Sequence, residues 1–129
     1  VEFFPYVLDE IEKLAQIYEL GCLTNGNADI EMIGIGKFFK FNISSKDVNA
    51  NKPNKNHFQK AVELLGISKE EILHIGDHKI NDMLGAISYG VKALWFNPDK
   101  EDWDLDDIKK PSEFNSWQGV TEKINNFYS

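Results

Sequence analysis

Four short apolar runs occur along this chain: Leu20-Gly21-Cys22-Leu23-Thr24, Phe41 to Ser44, Ile72-Leu73-His74-Ile75 and Val91 to Phe96. Each is parted from the next by a stretch with helical spacing. Runs this short and this apolar predict strands buried on both faces. Strands that alternate with helices are joined by crossovers, which makes the sheet parallel and covers it with helices on both sides. The expected class is therefore α/β: a Rossmann-like open parallel sheet flanked by helices. In such sheets ligands sit outside the carboxyl ends of the strands.

The intervening stretches support this. Val7, Leu8, Ile11, Leu14, Ala15 and Tyr18 recur at helical spacing, with Pro5 where a first turn tolerates it. Ala28 to Ile35 predicts a short helix closed by Gly34 and Gly36. Pro53 is expected to open a helix that turns Phe58, Ala61, Val62, Leu64 and Leu65 inward and stops at Gly66. Ile80 to Tyr89 predicts a helix ending at Gly90, and Val120 to Tyr128 a final one. The acidic stretch from Asn97 to Pro111 reads as a loop, with a turn around Asp104 to Ile108. With 129 residues the chain is expected to form one domain, 1–129.

Charge and composition narrow the function. Fourteen basic residues face 21 acidic ones, for a net charge of -7, which argues against nucleic acid as a partner. Every basic residue is Lys, so no guanidinium can clamp an anion. Backbone N–H groups, ammonium or a metal must do so instead. No apolar run nears the roughly 18 residues of a membrane span, so no membrane partner is expected. The single cysteine, Cys22, suits a reducing, cytoplasmic setting and reads as a small hydrophobe in a strand. Val1 in place of Met points to a processed or excised segment.

Three clusters fall just past predicted strands or loops. In Thr24-Asn25-Gly26-Asn27 a hydroxyl and successive N–H groups could cradle a phosphoryl oxygen, although Asn-Gly is also a common turn. Lys52-Pro53 could bring a cation beside a helix start, although a solvated lysine looks the same in sequence. Gly76-Asp77-His78-Lys79-Ile80-Asn81-Asp82 sets two carboxylates astride a strand-to-helix turn. That suits Mg²⁺, which takes one or two protein carboxylates, but also plain N-capping. Together, hydroxyl, lysine and acidic pair form the set that phosphoryl transfer requires. His57 and His74 read as packing residues, and His78 as a loop histidine.

These motifs resemble the haloacid-dehalogenase-like (HAD) hydrolase superfamily over roughly residues 3–98, in its subfamily I phosphatase type. Leu23-Thr24-Asn25-Gly26 is similar to the family's second motif, Lys52-Pro53 to the third, and Gly76-Asp77 through Asn81-Asp82 to the fourth. The Thr24 to Asp29 run and Gly76-Asp77-His78 look like the branch of flavin mononucleotide and related phosphatases. The resemblance implies that Thr24, Asn25 and Lys52 are catalytic and that Gly26 and Asn27 bind substrate. It implies that Asp77 and Asp82 serve Mg²⁺, with Asp82 also orienting Lys52. A metal-type acidic motif argues against dehalogenation, which needs no metal.

One part of the family pattern is absent. The first motif, Asp-x-Asp on the central strand, supplies the nucleophile. Asp102-Trp103-Asp104 has those letters but follows no apolar strand. The resemblance thus implies a core lacking its first central strand and its cap, with the strands ending at Thr24 and Gly76 left unpaired on one edge. The expected function is the C-terminal portion of a Mg²⁺-dependent phosphatase acting on a small phosphorylated metabolite through an aspartyl-phosphate, inactive alone. The expected partner is the missing N-terminal segment or a second copy. The alternative is a non-catalytic remnant that binds a partner or phosphate.

Overall fold

The computed structural model describes residues 5–26 and 35–128. They divide into two compact units: residues 5–22, 35–42 and 116–128 form the first, and 23–26 with 43–115 the second. The helix expected at Ala28 to Ile35 begins in the span outside the described residues, and Asn27, expected to bind substrate, lies there too.

In the first unit, helix α1 (Val7–Ile17) buries Val7, Ile11 and Leu14, one stripe at helical spacing. It starts later than expected. Tyr6 sits in the left-handed region at φ 71, so Pro5 precedes the helix rather than entering its first turn. Helix α5 (Val120–Tyr128) has the predicted bounds and packs on α1. Buried Glu10 accepts the Thr121 N–H at 2.9 Å, capping the first turn of α5, and the Tyr18 hydroxyl donates to Asn125 at 2.6 Å.

Strands β1 (Gly21–Thr24) and β2 (Phe41–Ser44) pair as a two-stranded sheet. The second unit holds a parallel three-stranded sheet of β3 (Leu73–Gly76), β4 (Lys92–Phe96) and β5 (Ser112–Phe114), in that order. The α/β class is as expected, and the sheet is two ladders, as a core without its first central strand implies. Among the described residues β1 pairs with β2 and β3 with β4, and no strand joins β1 to β3. Strand β5 was not anticipated, because Ser-Glu-Phe is too short and polar to signal a strand.

Around that sheet, helix α3 (Asn56–Leu65) brings Phe58 against Ala86 and Val91, with Leu23, Ile72, Tyr89 and Ala93 closing the cluster. Helix α3 ends at Gly66, whose φ of 67 only glycine adopts cheaply. It begins at Asn56, not Pro53. Asn54 accepts the Asn56 N–H at 3.0 Å and donates its own to Asn51, so the intervening residues form a turn that competes with helix. The helix expected over Ile80 to Tyr89 is a π-helical turn (Lys79–Leu84) followed by α4 (Gly85–Tyr89). Helix α2 (Ser45–Val48) is a single turn closed by a Ser44–Asp47 capping box. No helix among the described residues is long and apolar enough to cross a membrane.

Candidate active site

The described residues of the three motifs lie in the second unit. Thr24 ends β1. Its hydroxyl oxygen accepts the Gly26 N–H at 3.0 Å, which leaves the hydroxyl proton free to be donated. Asn25 turns its side-chain amide onto the backbone of Lys52, accepting that residue's N–H at 2.7 Å and donating to its carbonyl at 3.2 Å. The Asn25 side chain thus clasps the Lys52 backbone. The Ser45 hydroxyl donates to the Asn25 carbonyl at 3.1 Å, fixing the turn from behind.

Lys52 is buried, with 9% of its surface exposed. Its ammonium donates to Asp82 Oδ1 at 2.6 Å and to the Leu23 carbonyl at 3.2 Å. An ammonium has three donors, so one remains. The same Asp82 oxygen accepts from His74 Nε2 at 3.0 Å, and Oδ2 accepts the His78 N–H at 3.2 Å. Burial alone would raise the Asp82 pKa. The hydrogen bonds from His74 and Lys52, and the Lys52 charge, outweigh it and hold the carboxyl well below the ordinary range. Gly76 makes this approach possible, since a Cβ there would overlap the Asp82 side chain.

The two acidic residues of the turn therefore part company. Asp82 is buried and committed to Lys52 and His74, the orienting half of its expected role. Asp77 is exposed, and its carboxylate makes no hydrogen bond or ion pair among the described residues. Its backbone is fixed: buried Trp95 donates from Nε1 to the Asp77 carbonyl at 3.1 Å. His78 Nδ1 accepts the N–H groups of Ile80 and Asn81 at 3.2 and 3.0 Å and caps the π-helical turn. No three His, Cys, Asp or Glu side chains converge among the described residues. The donor set offers one free hard carboxylate, which fits a Mg²⁺ ion that draws its other ligands from water, phosphate or groups beyond this set.

Sequence reasoning underrated four residues. His74 and His57 are hydrogen-bonded into the site, Ser45 holds the Asn25 carbonyl, and Trp95 holds that of Asp77. His57 left a trace in the sequence as a polar residue on the apolar face of α3, and His74 as one inside the apolar run of β3.

Comparison with known proteins agrees with this geometry. The pattern of the haloacid dehalogenase-like hydrolase family matches residues 1–96. The 5-amino-6-(5-phospho-D-ribitylamino)uracil phosphatase YigB of Escherichia coli K12 is 36% identical over 100 residues, covering 74% of this chain and 42% of that protein. A 2-haloacid dehalogenase from Pseudomonas syringae pv. Tomato superposes with a TM-score of 0.92 at 32% identity, over 98% of this chain and 55% of the other. The HAD hydrolase YfnB from Bacillus subtilis, solved with magnesium, superposes at 0.84 with 28% identity, over 93% and 55%. The chain spans less than half the length of the curated relatives it matches. With the pattern covering most of its length, the chain belongs to the haloacid dehalogenase-like hydrolases.

Proposed function

We propose that these residues are the C-terminal core portion of a cytoplasmic, Mg²⁺-dependent phosphatase that hydrolyses a small phosphomonoester through an aspartyl-phosphate. The observation that carries the reading is the buried Lys52 ammonium, tied to Asp82 and to the Leu23 carbonyl with one donor to spare. That donor and the Thr24 hydroxyl would hold phosphoryl oxygens, while Asn25 keeps Lys52 in register. Asp77 would hold Mg²⁺, and Asp82 would keep Lys52 charged and oriented. Mg²⁺, when bound, supplies charge neutralisation at the phosphoryl oxygens. The nucleophilic carboxylate would come from outside these 129 residues, carried by an N-terminal segment, and that segment or a second copy would pair the open edges of β1 and β3. Support for a small phosphorylated substrate comes from the name of the Escherichia coli relative, and support for the metal from the magnesium-bound Bacillus structure.

The test begins with the intact mass of the native gene product beside that of this chain. It continues with hydrolysis of p-nitrophenyl phosphate by both. The expected result is no Mg²⁺-dependent turnover from this chain, and turnover from a longer product that EDTA and Lys52→Met each abolish. Mg²⁺-dependent turnover from the 129 residues alone refutes the need for an outside carboxylate. A longer product without turnover favours the partner-binding alternative.

A further inference from the structure

Helix α3 carries a group that neither packing nor the roles above explain. His57 is fully buried, yet one ring nitrogen, Nδ1, has no hydrogen-bond partner among the described residues. Leaving a buried polar atom unpaired is costly, so packing alone does not account for an imidazole here. The one hydrogen bond the ring makes runs from Nε2 to the Thr24 carbonyl, at 2.9 Å. A carbonyl only accepts, so the proton sits on Nε2 and Nδ1 holds a lone pair.

The position of that bond matters. A trans peptide is planar, with its C=O and N–H pointing in opposite directions. Anchoring the Thr24 carbonyl toward α3 therefore turns the Asn25 N–H the other way. Ser45 does the same one peptide later, where the Asn25 carbonyl is held and the Gly26 N–H faces away toward the Thr24 hydroxyl. We infer that His57 is a positioning residue which, through its Nε2–H bond to the Thr24 carbonyl, aims the Thr24-Asn25-Gly26 turn at the bound phosphoryl group. The phosphoryl group itself rests on the function proposed above. The orientation of the turn does not.

Two substitutions separate positioning from packing because they rank in opposite orders. His57→Phe keeps the ring and loses the donor. His57→Gln loses the ring and keeps a donor where Nε2 was. The readouts are backbone amide resonances of Asn25 and Gly26, titration with orthophosphate in the presence of Mg²⁺, and thermal melting as a control. Positioning predicts that Phe shifts both amides and weakens orthophosphate about tenfold, the share of one hydrogen bond, while Gln restores both. Packing predicts that Phe matches the parent and Gln is the worse. Unmoved amides in His57→Phe, or shifts equal in the two variants, overturn the inference. Should Gln fail to fold, the imidazole nitrogen spectrum of the unmodified chain decides: a proton on Nδ1 overturns it, and a proton on Nε2 supports it. Amides that behave as expected in a chain blind to orthophosphate support the positioning alone, and the phosphatase reading then stands or falls on turnover by the longer product.

Discussion

The Lys52–Asp82 pair should lose stability when either half is removed, and the double variant should lose less than the two single losses combined. Each side chain is only 9% exposed, and the charges stand 2.6 Å apart. Removing one partner of a buried pair strands the other, at a cost of about 3–5 kcal/mol. The remaining contacts set where each variant falls in that range. In Lys52→Met the Asp82 carboxylate keeps His74 and the His78 N–H, two donors that place the cost near the low end. In Asp82→Asn the ammonium keeps just the Leu23 carbonyl and a neutral amide, which places the cost higher unless the lysine stem swings to solvent. The double variant should be more stable than the sum of the single losses by about 1–3 kcal/mol. Urea unfolding followed by tryptophan fluorescence reads this directly, because Trp95 is fully buried. Additive losses, or single losses under about 1 kcal/mol, would refute the claim that this pair is desolvated and coupled.

Gly76→Ala should cost about 1–3 kcal/mol, because the new methyl overlaps the Asp82 side chain, and a neutral urea midpoint would contradict that packing. Burial of His57 pushes its pKa below 6.5, with the Thr24 bond opposing and the Lys52 charge assisting. The unfolded chain then binds a proton that the folded chain resists, so His57 adds stability above about pH 6.5 that is lost as pH falls below it. The unfolding free energy of His57→Phe should show a flatter slope across that window, and identical slopes would count against a buried neutral imidazole. Glu10→Ala should cost about 1–3 kcal/mol by baring the Thr121 N–H at the start of α5, visible as a lowered melting temperature, whereas Glu10→Gln keeps an acceptor there and should cost less.

The elements that could be read from sequence are those decided by their own residues. The run Phe41 to Ser44 and the stretch Val120 to Tyr128 fall where apolar spacing puts them. Those that could not be read are decided by hydrogen bonds that apolar spacing does not mark. Ser112–Phe114 is a strand because β4 offers it a ladder, and Lys79–Leu84 is π-helical where His78 caps two N–H groups and offers its carbonyl to both Asp82 and Met83. The site divides in the same way. Motif order exposed Thr24, Lys52, Asp77 and Asp82, since each sits next to a strand end or turn that local sequence marks. His57 and Ser45 act on carbonyls 33 and 20 residues away, and nothing in a linear pattern encodes which carbonyl a buried donor will meet.

The same reasoning explains why two carboxylates five residues apart take opposite roles. Without a Cβ at position 76 the Asp82 side chain folds back against β3, where Lys52 and His74 reach it. Asp77 follows Gly76 directly and stays in solvent. Asp82 thereby cancels most of the Lys52 charge, and a chain with no arginine has no other buried cation beside this turn to offset a phosphate. Lys52 can give direction through its remaining N–H, but net neutralisation must arrive from outside. An uncommitted carboxylate at Asp77 is the feature that would recruit it as a divalent metal. Under the proposed function, the acidic pair is thus one group that holds a lysine in place and one that would import the charge the lysine can no longer supply.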